Sequence, residues 1–236
     1  MDPRSNTQFC GGTILTKRHV ITAAHCTDPV IKARGSIAVI VGGHSINTLE
    51  ATAQVLPVDK ILQHTSYDGK QIRNDISLLL VRGEFMFNNV VGPACLSKVQ
   101  HNLEKQYVKI IGWGTVFHNG PPSSVLKDIN IRVAPLKECS LRHPAILYKE
   151  RRQICTHTIN EGACMGDSGG PVVWVDPKTN RYNLVGLVSF GRICASEDPS
   201  VHTDVSSYIQ WITDNMKGKH TKKRSVLTLE VPKYEH

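Results

Sequence analysis

The stretch Gly166-Asp167-Ser168-Gly169-Gly170-Pro171 completes a set opened by two earlier segments. Thr22-Ala23-Ala24-His25-Cys26 lies near the start and Asn74-Asp75-Ile76 in the middle, so His, Asp and Ser follow in that chain order. A serine hydroxyl is a poor nucleophile until a base takes its proton. An imidazole does this best when a buried carboxylate holds its other nitrogen. Each segment alone has a plainer reading. A histidine before a cysteine is more often structural, Asn-Asp pairs mark turns, and Gly-Asp-Ser-Gly-Gly can be a polar turn. Agreement of all three in residue type, order and separation points to one nucleophilic site made by His25, Asp75 and Ser168.

Outward from these segments the chain reads as short strands. Residues 36–41 and 76–81 are apolar runs. Ile129, Ile131 and Val133 alternate with Asp128, Asn130 and Arg132, the period of a half-buried strand. Residues 107–113, 171–175 and 182–190 are further strand candidates. Turn signals separate them at Tyr67-Asp68-Gly69, Asn119-Gly120-Pro121-Pro122 and Asp176-Pro177. Strands without intervening helices imply an all-β barrel or sandwich. The exception is 206–216, where Val205, Tyr208, Ile209 and Ile212 recur at helical spacing.

At 236 residues, 40% hydrophobic and 20% charged, the chain has ample core for one large β domain or two packed barrels. No run of about 18 apolar residues occurs, so no membrane association is expected. Met1-Asp2-Pro3-Arg4-Ser5-Asn6 is polar from the outset, and no signal peptide is read there. Seven cysteines point to an oxidising compartment all the same. A zinc site joining His143 and His157 to Cys139 and Cys155 is the competing idea, but the close cysteine pairing of such sites is missing. The net charge is +8, and the last twenty residues hold six basic against two acidic side chains. The run from Lys217 to Arg224 could meet a heparin-like polymer. A solvated tail is the simpler reading, and no interleaved aromatics support nucleic-acid binding.

The segments around His25, Asp75 and Ser168 resemble the trypsin/chymotrypsin family of serine peptidases over residues 8–216, and those around Trp113 and 154–170 are most similar to insect chymotrypsins. The order His, Asp, Ser goes with chymotrypsin-type barrels. The resemblance implies an all-β fold of two packed six-stranded antiparallel β-barrels, the first N-terminally incomplete, plus a C-terminal helix. The first barrel would span about 8–100, the second 101–205 and the helix 206–216, within a peptidase domain of 1–216 followed by a basic tail, 217–236. The switch between barrels is expected after Cys95-Leu96. Disulfides Cys10–Cys26, Cys139–Cys155 and Cys164–Cys194 are implied, and Cys95 stands where family members bond to a propeptide.

By the same resemblance His25 is the base, Asp75 its orienting carboxylate and Ser168 the nucleophile. The N–H groups of Gly166 and Ser168 form the oxyanion hole. Activity should rise as the imidazole loses its proton. Gly162 stands where trypsin-like enzymes carry an aspartate. Gly191 and Ser200 wall the pocket, with Ala163 nearby, and Ser189, Phe190 and Gly191 pair with the substrate backbone. An uncharged slot suits Phe, Tyr or Leu. Because Ser200 is not glycine, an elastase-like taste for smaller aliphatic residues is the alternative. Val41-Gly42-Gly43-His44 offers no carboxylate for calcium, and neither metal nor cofactor is expected. Val108 and Trp174 replace a disulfide of many members and should pack together. The chain opens without an Ile-Val-Gly-Gly-like start, so Asp167 would lack the ammonium it pairs with in active members. Expected partners are protein or peptide substrates and protein inhibitors of a secreted monomer. The contrasting reading is a silent homologue that binds proteins or polyanions through the same fold.

Overall fold

The computed structural model describes residues 1, 8–117, 119–158, 162–191, 194, 196–218 and 227–228. Most of the basic tail therefore lies outside the described residues. The first sheet is built from β1 (Thr13–Ile14), β2 (His19–Thr22), β3 (Ala38–Val41), β4 (Gln54–Gln63) and β5 (Ser77–Val81). Its order is β1-β2-β5-β4, with β3 also on β4, and the pair Leu227–Thr228 (β13) adds to β4 beside Ile61 and Lys60. It stays open, a half-barrel. Met1 bonds to Ala38 at the outer edge of β3, its ammonium donating to Ala38 O at 2.9 Å and its carbonyl accepting from Ala38 N at 3.0 Å.

The second sheet closes. It is made of β7 (Tyr107–Gly112), β8 (Lys127–Ala134), β9 (Gln153–Thr156), β10 (Pro171–Asp176), β11 (Arg181–Phe190) and β12 (Ser200–Asp204). The antiparallel order β10-β7-β8-β9-β12-β11 returns to β10 through the β10–β11 ladder. Short β6 (Cys95–Leu96) runs parallel to β11 at Asn183 and Leu184, so the chain has already reached the second sheet there.

The patterns in the sequence map onto layers. Leu78 of β5 faces a core shared with Leu184, Leu187, Val205 and Ile212, while Leu79 and Val81 face the first sheet's own core. With both faces covered, 76–81 reads as a continuous apolar run. On β8, Ile131 and Val133 enter the second barrel beside Val108 and Val185, leaving Asn130 and Arg132 in solvent. Trp174 packs against that same cluster as Val108. After a 3-10 turn at Val205–Tyr208, helix α3 (Ile209–Met216) lays Ile212 on the core between the sheets.

Two helices correct the strand-only reading of the interior. They are α1 (Ala24–Lys32) and α2 (Leu136–Arg142). α1 has Pro29 in its interior and no side-chain cap at Ala23. Its start is instead held from outside, by Asp75. All three expected disulfides are present, Cys10–Cys26, Cys139–Cys155 and Cys164–Cys194, and Cys95 is a half-buried thiol.

Candidate active site

The site lies where the two sheets meet. Asn74 takes a left-handed backbone, φ 51°, and turns the chain into β5 so that Asp75 is buried at 1% exposure. One carboxylate oxygen of Asp75 accepts the His25 backbone N–H at 2.8 Å, and the other lies 2.8 Å from His25 Nδ1. The same carboxylate thus supplies the missing cap of α1 and orients the imidazole that α1 carries. Ser189 Oγ donates to Asp75 Oδ2 at 2.5 Å, and Thr203 Oγ1 donates to Asp75 O at 2.8 Å. Both come from the second sheet, so the two halves of the molecule converge on one carboxylate.

Ser168 arrives from the loop before β10. Gly11 N donates to Ser168 O at 2.7 Å, and Cys26 Sγ lies 3.6 Å from that oxygen, which sets Ser168 beside the Cys10–Cys26 bridge and His25. No hydrogen bond joins Ser168 Oγ to His25 among the described residues, and Nε2 lies 3.7 Å from Cys26 Sγ. The N–H groups of Gly166 and Ser168 donate to no other group among the described residues. Gly169, at φ 75°, crosses so close to the first sheet that a Cβ would lie 2.1 Å from Thr22 Oγ1. Only glycine lets the 166–170 loop sit there.

Asp167 points the opposite way. Its carboxylate accepts Gly114 N at 2.8 Å and Cys164 N at 3.0 Å, and burial pushes its pKa up against those two bonds. A Cβ on Gly114 would lie 2.4 Å from that carboxyl, so the cradle requires glycine. No ion pair reaches Asp167 among the described residues.

Gly191 and Ser200 face one another, a Cβ on Gly191 falling 3.6 Å from Ser200 Oγ. Ala163 packs at the edge of the second barrel's core, and Gly162 beside it is half-buried. Phe190 is half-buried and meets the His143 ring edge-on at 5.6 Å. Cys10, His25 and Cys26 bring their ligand atoms within 4.8 Å of one another, but the two sulfurs are spent on a disulfide. The 41–44 turn is closed by Glu50, whose carboxylate accepts His44 N and Ser45 N.

Sequence reading missed Thr203, Gly114 and the capping role of Asp75, all of which act across 50 or more positions. A residual signal existed only for Gly114, from the glycines flanking Trp113. Arg152 and Tyr208, which both donate to Asn74 Oδ1 at 2.9 and 3.0 Å, carried none.

A family model described as Trypsin matches residues 2–212. Among curated proteins, the chain is 33% identical over 216 residues to a venom serine protease of Polistes dominula, covering 89% of this chain and 77% of that protein. It is 34% identical over 213 residues to chymotrypsin-2 of Vespa crabro, covering 90% and 91%. It is 33% identical over 212 residues to trypsin-1 of Astacus astacus, covering 88% and 87%.

Proposed function

Because this chain belongs to the trypsin family of serine proteases, we propose that it is a serine endopeptidase working through His25, Asp75 and Ser168. The observation that carries this is the buried Asp75 carboxylate held against His25 Nδ1 at 2.8 Å. With Nδ1–H donated to Asp75, His25 presents Nε2 as an acceptor. It takes the Ser168 hydroxyl proton as Oγ attacks the scissile carbonyl, then passes that proton to the leaving amine. The Gly166 and Ser168 N–H groups meet the oxyanion; losing one such donor costs about 10²–10³ in kcat. Water then hydrolyses the acyl-enzyme by the reverse proton route.

Relatives named for both chymotrypsin and trypsin specificity stand at nearly equal identity, so substrate preference rests on the pocket residues. Gly162, Ala163, Gly191 and Ser200 offer no carboxylate to pair a substrate Lys or Arg, whose burial without a partner is costly. Large apolar or aromatic residues before the scissile bond are the fitting class. Three disulfides suit an oxidising, extracellular setting with protein substrates and inhibitors.

One observation favours a second reading, a zymogen-like or silent protein. Asp167 is held by backbone N–H groups alone among the described residues, and Ser168 Oγ makes no bond to His25. A fluorophosphonate probe on the folded chain, with Ser168→Ala as control, decides between them. Labelling confined to Ser168 supports the peptidase. Labelling that appears only after an Ile-Val-Gly-Gly start is added supports the zymogen-like form, and none in either form sinks the catalytic reading.

A further inference from the structure

The wall of the second barrel carries a gap. β10 and β7 pair only at Val172–Ile110 and Val173–Lys109. Beyond these the two strands part around a cleft of about 370 Å³, lined by residues 106–109, Asn130, residues 173–175 and Pro177. The ladder on the other side of β7 fixes which backbone groups face it. Val133 N donates to Gln106 O at 2.9 Å. Backbone groups alternate along a strand, so Gln106 and Val108 turn theirs toward β8, and Tyr107 and Lys109 turn theirs toward β10. After Lys109 and Val173, the next exchange would join Tyr107 to Val175. It is not made, and among the described residues neither has a backbone bond across the gap. Two bare strand edges inside a closed sheet are what an extended peptide adds to.

The side chains around the gap narrow the choice of peptide. Val108 and Trp174 form its floor, both packed on the barrel core, and the His101 ring lies 4.9 Å from that of Trp174. Tyr107, Val175 and Tyr182 form the rim and are 66%, 39% and 51% exposed. Arg132 stands opposite Tyr107 on β8, with its Nε donating to Lys105 O at 3.4 Å, and Arg181 stands opposite Asp176 on β11. None of Lys105, Arg132 and Arg181 has an ion pair among the described residues. Of the acids nearby, Asp128 holds Lys109, and Asp176 closes its own turn by accepting Lys178 N and Thr179 Oγ1. That leaves Glu104 against three cations. An added strand points its side chains alternately in and out, so the floor asks for an apolar residue and the rim for acidic neighbours.

We propose that this gap takes up an extended segment of a partner protein in which an apolar residue is flanked on both sides by acidic ones. The apolar side chain meets Val108 and Trp174. Its acidic neighbours meet Lys105, Arg132 and Arg181, and its main chain bonds to Tyr107 and Val175. No residue of the proposed triad lies on these strands, so the inference stands apart from the peptidase reading.

An NMR titration of the isotope-labelled Ser168→Ala chain, which cannot hydrolyse the probe, with the blocked peptide acetyl-Glu-Val-Glu-Val-Glu-amide tests it. The Tyr107 and Val175 amide signals should shift and saturate. The same peptide with Lys in place of Glu should need about tenfold higher concentration, the scale of two exposed ion pairs. Methylating alternate peptide nitrogens should abolish the response, since the main-chain bonds are then lost. Arg132→Glu combined with Arg181→Glu, both at exposed positions, should erase the preference for the Glu peptide. Equal responses to the Glu and Lys peptides in the Ser168→Ala chain would overturn the proposal. Shifts that spare Tyr107 and Val175 would overturn the site, as would no response to any peptide. The same shifts from a heparin hexasaccharide at equal concentration would overturn the peptide assignment in favour of a polyanion.

Discussion

His202 is fully buried on β12, with Nε2 2.8 Å from Thr156 Oγ1 and Nδ1 unbonded. Burial pushes its pKa down to about 3, so it stays neutral in the fold. The unfolded chain would protonate it near the ordinary imidazole value of about 6.5. Between about pH 6.5 and 3 the unfolded state therefore binds the extra proton, and stability from this group is lost as pH falls through that window. Well below pH 6.5 the loss approaches about 1.4 kcal/mol per pH unit. His202→Gln keeps a bond to Thr156 and removes the titration. Urea unfolding at pH 7 and pH 5 should show a shallower acid loss for the variant than for the wild type. Equal slopes would mean that His202 is not the sensitive group.

α1 is the element on which the proposed base depends, and little of its stability is its own. Nine residues with an internal Pro29 and no side-chain cap would not hold as a helix in isolation. It is pinned by Asp75 at its start, by the Cys10–Cys26 bridge, and by Thr27. Thr27, 1% exposed, lies 2.8 Å from the buried Ser77 Oγ on β5 and donates to Gln63 on β4 at 3.1 Å. Thr27→Val preserves shape and leaves both partners without their bond to Thr27. It should cost about 1–3 kcal/mol in urea unfolding. It should also slow fluorophosphonate labelling of Ser168, since α1 carries His25. A loss of stability with labelling unchanged would separate the helix's packing from its part in the site.

At the scale of the molecule the two sheets are unequal. The second closes on itself, while β3 in the first is paired along β4 on one side and meets only Met1 on the other among the described residues. Strand edges open more readily than closed ladders. Native-state hydrogen exchange should therefore proceed faster for the amides of β3 than for those of β7 and β8. Uniform protection across both sheets would show that the half-barrel is as well secured as the closed one. The shared core of Leu78, Leu184, Leu187 and Ile212 ties the sheets together, so global unfolding should still be a single transition.

Much of this protein is set by local rules, and those are legible in the chain. Strand β8 follows from period-2 alternation, β5 from its unbroken apolar run, and the paired placement of His25 with Asp75 from two short motifs. The half-barrel also follows from the resemblance those motifs carry. The interior helices were not legible, because α1 is stabilised by Asp75 and a disulfide rather than by periodicity of its own. Nor were the roles of Thr203, Gly114 and Arg152. Each acts through a partner far away in sequence, and only the packing of the chain brings those groups within reach. Hydrophobic periodicity and turn chemistry depend on neighbours in the chain. Hydrogen bonds and desolvation depend on neighbours in space, and these decide how the site is held.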